Sequence, residues 1–376
     1  MGKSNWGKEI KIPYLDNKVA SVNEQLQEVI ATHFDPENGS KYWLKKEKEL
    51  NLTARKDISD FEDLKAHLGL KEDWLQEFED AMRYLPIRDM VPKSQHKKIL
   101  LVGETGGTTG VAKRAAFSRE YFNTLITFSN WAFDMHGIPR DEDMLFIGPT
   151  GPHTIGIFAR DIAETRGGLF FSIDLDTRII KKFVGKGMLE CQQRYMEHIG
   201  EQVIPILKSQ DIGILFTTSK ILEILPQHVD VAELDIKGII HGGTAIDPDT
   251  YKLFKEEIYL DKEGRSIPLL GAYGNGHSGV HVENFSENNR EYNVNYFPQQ
   301  PFIVSEVVDF DSGDVVDYGE RGQVVFYRLT PEYLIPGMPE RDEATRIKPA
   351  KPFEWDGVQN VDILRSEKES VIEGVY

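Results

Sequence analysis

The sequence predicts an α/β fold: sheets flanked by helices, with a small antiparallel β region toward the C-terminus. Three observations carry this. Residues 1–96 are patterned mostly for helices. From 97 to 296 short apolar runs alternate with amphipathic stretches, the pattern of strands whose faces are covered by helices. From 297 to 376 strand-like runs are separated by turn-rich segments, an antiparallel signature. These boundaries divide the 376 residues into a helical region, an α/β core and a β-rich part, all expected within one structural domain.

The elements follow in order. Val22 to His33 carries apolar residues at 22, 26, 29 and 30, close to helical spacing, and the stretches from Asp60 and from Trp74 are similar. Ile99–Val102 reads as a buried strand, and Arg114–Ser118 as a second short one. Tyr121–His136 reads as a helix and Met144–Ile147 as a strand. Ile212–Phe216 and Lys237–Ile240 are further strands, separated by the helical stretch Lys220–Leu225. Phe302–Val308 and Gly322–Tyr327 are strands joined by the turns Asp311–Asp314 and Tyr318–Gly322.

Net charge is −17, from 44 bases against 61 acids. A field of that sign repels nucleic acid and anionic membrane surfaces, so neither is expected as a partner. One cysteine, Cys191, excludes an intrachain disulfide, a cysteine-rich zinc site and an iron–sulfur cluster. The ten histidines show no metal-binding spacing, and no metal-ligating residue is assigned. No apolar run is long enough to span a membrane, and the first residues lack the apolar core of a signal peptide. A cytoplasmic location is expected.

The richest local signal is Glu104-Thr-Gly-Gly-Thr-Thr-Gly-Val-Ala-Lys113. Glycines let the backbone bend tightly and present successive N–H groups to an anion, hydroxyls add donors, and lysine adds charge. A surface hairpin turn is the alternative. The spacing is not that of the Gly-Lys-Ser/Thr loop that opens a helix. Thr105, Gly106, Gly107, Thr108, Thr109 and Gly110 with Lys113 resemble the phosphate loop of adenylate-forming enzymes. That superfamily includes acyl-CoA synthetases, luciferases and nonribosomal peptide adenylation domains.

Further segments resemble the same superfamily in the same order. Ile239–Ala245, with Gly242, Gly243 and Thr244, is similar to the segment that lines the adenine. Gly271–Gly279 is similar to the aromatic-Gly-x-Thr/Ser-Glu motif. The resemblance implies that Tyr273 stacks on adenine, with Gly274 and Asn275 beside it. Gly276 stands where the motif has a hydroxyl, and His277 where it has the glutamate that holds magnesium. Imidazole is a poor magnesium ligand, so His277 is expected to touch a phosphate or carboxylate directly. Arg341-Asp342 with Thr345-Arg346 resembles a run of the phenylacetate-CoA ligase-like group, which implies that Asp342 accepts both ribose hydroxyls. Tyr42–Lys46 and Asp57–Leu64 resemble the helical start of that group.

The resemblance implies ATP-dependent activation of an aryl carboxylic acid as an acyl-adenylate, for transfer to an amine or thiol. ATP or AMP is the expected cofactor, with Mg2+ accompanying ATP although its usual protein ligand is missing. Lys113 and His277 are the candidate catalytic residues. His153, Thr218, Ala272 and Gly276 are the candidate acid-binding residues, although Gly148–Gly156 also reads as a simple tight loop. Arg365–Val375 resembles the family's hinge, after which complete members carry a lid domain. No lid is expected here. In size and in that missing lid the chain is similar to truncated members of phenazine antibiotic pathways. Adenylation by the chain alone is then expected to be slow, or to need a pathway protein partner. Two other readings stay open: an acyl-protein synthetase-like enzyme using Cys191, and a non-catalytic subunit that binds nucleotide and acid.

Overall fold

The computed structural model describes residues 21–70, 72–105, 110–151, 153–277, 279–284 and 291–364, with backbone only at 72 and 73. The helices are α1 (Val22–His33), α2 (Lys41–Glu49), α3 (Ala54–Asp57), α4 (Phe61–Leu68), α5 (Glu72–Tyr84), α6 (Ile87–Met90), α7 (Arg119–Met135), α8 (Thr154–Arg166), α9 (Thr177–Gly185), α10 (Leu189–Ser209), α11 (Ser219–Ile224) and α12 (Pro248–Leu253). The strands are β1 (Ile99–Glu104), β2 (Arg114–Ser118), β3 (Asp143–Gly148), β4 (Phe170–Asp174), β5 (Ile212–Thr217), β6 (Gly238–Gly242), β7 (Leu269–Asn275), β8 (Gly279–Glu283), β9 (Asn295–Pro298), β10 (Ile303–Val308), β11 (Arg321–Thr330), β12 (Tyr333–Ile347) and β13 (Gly357–Ile363).

Helix starts are written locally. Ser21 and Glu24 form a reciprocal capping box on α1, and Asp60, Ser118, Asp176, Thr218 and Asp247 cap α4, α7, α9, α11 and α12.

Eleven strands form one mixed sheet in the order β10-β11-β12-β13-β9-β8-β7-β6-β5-β3-β4. β4, β3, β5, β6 and β7 run parallel. From β7 onward every pairing is antiparallel. The turn-rich C-terminal strands therefore continue the main sheet through the β13–β9 pairing.

The central strands read as unbroken apolar runs because both faces are covered. Met144, Phe146, Ile214, Phe216, Ile240 and Leu270 enter one core. Their neighbours Leu145, Ile147, Leu215, Ile239 and Leu269 enter the other. The N-terminal helices pack on the first core, around the fully buried Trp43 and Phe78.

β1 differs from its sequence reading. It pairs with β2 alone, as a two-stranded antiparallel ribbon. Three of its apolar side chains are half-buried and Val102 is 36% exposed. An isolated ribbon has one face to bury, and the apolar run alone does not reveal that.

Arg328 joins the ribbon to the main sheet. Its side chain is fully buried on β11. Nη2 donates to the Ala116 carbonyl at 2.7 Å and to Glu332 Oε1 at 2.8 Å, while Nη1 donates to the His277 carbonyl at 3.1 Å. The guanidinium lies 4.3 Å from the Phe117 ring centre and 4.7 Å from that of Tyr121. Replacing it leaves Glu332, 1% exposed, with a buried and uncompensated charge. Arg328→Met is expected to destabilise the fold by about 3–5 kcal/mol. Urea unfolding checks this, and an unchanged midpoint would refute the linchpin role.

Candidate nucleotide and acid site

In an open α/β sheet, ligands bind beyond the carboxyl ends of the parallel strands. A cavity of about 1230 Å³ lies there. Its wall takes Gly148 and Pro149 after β3, Thr217 and Thr218 at the end of β5, Gly242–Ala245 after β6 and Tyr273–His277 at the end of β7. β12 adds Glu340, Arg341 and Asp342, and the β1–β2 ribbon adds Glu104, Thr105, Gly110 and Lys113. Residues distant in sequence thus meet in one place.

The Gly/Thr segment connects the two strands of that ribbon in sequence, with Glu104 paired across from Arg114. Its ends are tied: the Thr105 N–H donates to the Lys113 carbonyl at 3.0 Å, and the Lys113 N–H to Thr105 Oγ1 at 3.1 Å. Gly106, Gly107, Thr108 and Thr109 lie outside the described residues, as does the hinge-like segment Arg365–Val375.

Lys113 has a counter-ion within the chain. Its Nζ donates to Glu79 Oε1 at 2.9 Å. Glu79 stands on α5, which also brings Gln76, Asp80, Arg83 and Tyr84 to the cavity. Burial pushes the Glu79 carboxyl up, but Lys113 and Arg83 outweigh it and hold it below the ordinary range. A phosphate at the loop would therefore compete with Glu79 for Lys113. The sequence reading missed α5, since nothing in a helical pattern names the surface it faces.

His277 is 3% exposed and packs 5.3 Å from the Phe326 ring centre. Neither ring nitrogen has a hydrogen-bond partner among the described residues. Burial first, then the charges of Lys113 and Arg328, push its pKa well below the usual value. The ring is neutral, offering one donor and one acceptor to the cavity. Glu340 Oε1 lies 4.0 Å from its Nε2. The same carboxylate accepts a hydrogen bond from Asn275 Nδ2, while Asn275 Oδ1 accepts from the His277 N–H at 3.0 Å. Gly276 has no room for a side chain: a Cβ there would stand 2.8 Å from the Glu104 carbonyl oxygen.

Tyr273 Oη donates to Asp342 Oδ2 at 3.0 Å. Burial first raises the Asp342 carboxyl toward neutrality, with nearby Asp362 adding to it against the Tyr273 hydrogen bond and Arg341. Glu340 is raised by burial and then by Asp342, against Lys113, Asn275 and Arg341. The Thr244 hydroxyl is buried without a partner among the described residues. Thr345 and Arg346 do not reach the cavity; Arg346 pairs instead with Asp356 at 2.7 Å.

His153 and Thr218 both line the cavity, as do Ala272 and Gly276. Burial, then Arg178, lowers the His153 pKa. Thr218 also caps α11. The sequence reading found small residues here and missed the aromatic wall. Phe133, Phe146, Phe158 and Phe216, each no more than 4% exposed, bound the part of the cavity that enters the core. In the sequence these are ordinary core phenylalanines. Cys191 stands on α10, outside the cavity wall.

Among the described residues no group of three or more His, Cys, Asp or Glu side chains is arranged to hold a metal ion. Glu340 is the carboxylate beside His277, where the family motif has its glutamate. No helix among the described residues is long and apolar enough to cross a membrane.

No protein-family model and no curated protein matches this sequence. Solved structures do match. A 2-hydroxyisobutyryl-CoA ligase in the postadenylation state, in complex with 2-HIB-AMP, superposes with a TM-score of 0.63 at 13% identity, covering 92% of this chain and 67% of that one. The same ligase with 2-HIB-AMP and CoA in the thioesterification state gives 0.61 at 15% identity, over 91% and 67%. An open conformation gives 0.59 at 15% identity, over 90% and 71%. The fold is that of the large N-terminal domain of adenylate-forming enzymes.

The raised carboxyls have a consequence for stability. Glu340 and Asp342 bind protons more tightly folded than unfolded, so the folded state holds extra protons above the ordinary carboxylate range. Stability from this pair is full at acid pH and is lost as pH rises toward neutrality. Glu340→Gln is expected to flatten that decline. Urea midpoints measured across the interval check it, and an unaltered slope would count against the buried pair.

Proposed function

We propose that this chain uses ATP to activate a carboxylic acid as an acyl-adenylate, then passes the acyl group to an amine or thiol. The observation that carries this reading is the single cavity at the strand ends. It joins Thr105, Gly110, Lys113, Gly242–Thr244, Tyr273 and Asp342 to a phenylalanine-walled end. In the first step a carboxylate oxygen attacks the α-phosphorus, the α–β P–O bond breaks, and pyrophosphate leaves. In the second step the acceptor attacks the acyl carbon, its proton goes to solvent, and AMP leaves. The solved neighbours that hold an acyl-adenylate on this fold support the reading.

Each residue has a role within it. The loop and Lys113 take the phosphates, with Glu79 giving up the lysine. Gly242, Gly243 and Thr244 flank the adenine, Tyr273 stacks on it, and ionised Asp342 accepts the ribose hydroxyls. His277, neutral, bonds to the phosphate or carboxylate oxygen where charge shifts, and oriented donors there stabilise the transition state. Mg2+ arriving with ATP would neutralise phosphate charge, with Glu340 as the protein carboxylate beside it. The aromatic wall favours a planar aryl acid, with His153 and Thr218 at its polar end. A phenazine-type carboxylic acid of secondary metabolism fits that description.

Carboxylate-dependent ATP–pyrophosphate exchange with a panel of aromatic acids tests the reading. Exchange is expected with a planar aryl acid. Its absence across the panel, with ATP still bound, would favour a non-catalytic binding subunit. Lys113→Ala is expected to weaken ATP roughly tenfold by calorimetry. Asp342→Ala is expected to cost AMP about 1.5–3 kcal/mol while sparing pyrophosphate. Equal weakening of both ligands would refute the ribose role.

A further inference from the structure

Helix α9 brings charge to the cavity that the roles above do not use. Thr177 and Lys181 stand one turn apart on it, and both line the cavity. Arg178, between them, reaches the root of the Gly/Thr loop: its Nη2 donates to Glu104 Oε2 at 3.0 Å and to the Thr105 carbonyl at 3.2 Å. The other Glu104 oxygen accepts from Arg114 Nε at 3.0 Å. One carboxylate thus holds two guanidinium groups. Arg341, on β12, lines the same cavity.

Lys181 stands among these charges. Its ammonium nitrogen is shielded from solvent. Burial, then Arg341, then Arg178, bring its pKa down to about 8. Both guanidinium groups act on it with the same sign, and a bound anion would reverse that repulsion. Like charges gathered in a cleft are one of the arrangements found at functional sites. In a chain of net charge −17 such a gathering runs against the overall field.

We propose that Lys181, with Arg178 and Arg341, forms an anion subsite beside the Gly/Thr loop for the pyrophosphate end of the nucleotide. The ligand's identity rests on the nucleotide reading above. A polyphosphate fits better than a lone carboxylate for two reasons. Several cations suit several charges, and Arg178 is tied to Glu104 and Thr105, where the Gly/Thr segment begins. When the α–β bond breaks, the electron pair leaves on pyrophosphate, and these cations hold the charge that develops there.

Two measurements test this, using pyrophosphate, ATP, AMP and benzoate as probes. By calorimetry, Lys181→Met is expected to weaken pyrophosphate and ATP about tenfold while AMP and benzoate stay within about twofold, and Lys181→Arg is expected to retain most of the affinity. On the wild-type chain, pyrophosphate is expected to protect Lys181 from acylation by acetic anhydride at pH about 8, read by peptide mass spectrometry, whereas AMP gives no protection. The second measurement needs no variant to fold. Unchanged pyrophosphate affinity in Lys181→Met, equal loss of every ligand, loss of benzoate alone, or no protection would each overturn the subsite. Lys181-dependent pyrophosphate binding without ATP or AMP binding would overturn the nucleotide reading and leave the subsite standing.

Discussion

The site depends on one buried cation. Arg328 is fully enclosed, and its hydrogen bonds run to three separate segments. The Ala116 carbonyl belongs to the ribbon that ends in the Gly/Thr loop. The His277 carbonyl belongs to the turn after β7, and Glu332 precedes β12, the strand of Glu340 and Asp342. Three segments that lead to the cavity are thus registered by one planar group. A guanidinium suits this because its donors are fixed in a fork and its faces stack on Phe117 and Tyr121. Its positive charge also reaches His277 and helps keep that ring neutral.

Around this anchor, the cavity holds its charges in matched sets. Lys113 is paired with Glu79, and Glu104 is shared by Arg114 and Arg178. Each pairing keeps a partly buried cation solvated by the chain itself, since an unpaired buried charge is costly. Each is also a contact that a phosphate can replace with a stronger one, because phosphate oxygens suit both guanidinium and ammonium groups. Opposite in sign, Glu340 and Asp342 are crowded together, and burial raises the pKa of both carboxyls. Two acids so placed favour a ligand that brings hydroxyls or a cation.

The departure from the family motif at Gly276 and His277 has a steric cause on one side. The Glu104 carbonyl lies where a side chain at 276 would begin, so a hydroxyl residue has no space. At 277 the backbone turn directs the ring under Phe326, into a dry setting unsuited to a charged side chain. Glu340, on β12, places a carboxylate oxygen 4.0 Å from the His277 Nε2. One carboxylate is thus present at this corner, drawn from a strand remote in sequence.

The sequence by itself determined the α/β class, about half of the helices and strands, and the Gly/Thr segment with its lysine. Those features are local: apolar period, capping residues such as Ser21 and Asp60, and glycine-rich turns. It also marked Tyr273, Asp342, His153 and Thr218, which do meet in one cavity. Tertiary structure decided what local pattern cannot carry. Glu79 lies in a stretch read only as a helix, Lys181 drew no reading at all, and only packing turns both to the cavity. Phe146 and Phe216 read as core, because a buried ring looks the same in sequence whether it meets another ring or a ligand. The exposure of Val102 follows from β1 pairing with β2 alone. The charge states of Glu340, Asp342 and His277 follow from burial and from neighbours tens to hundreds of residues away, distances that only the folded chain closes.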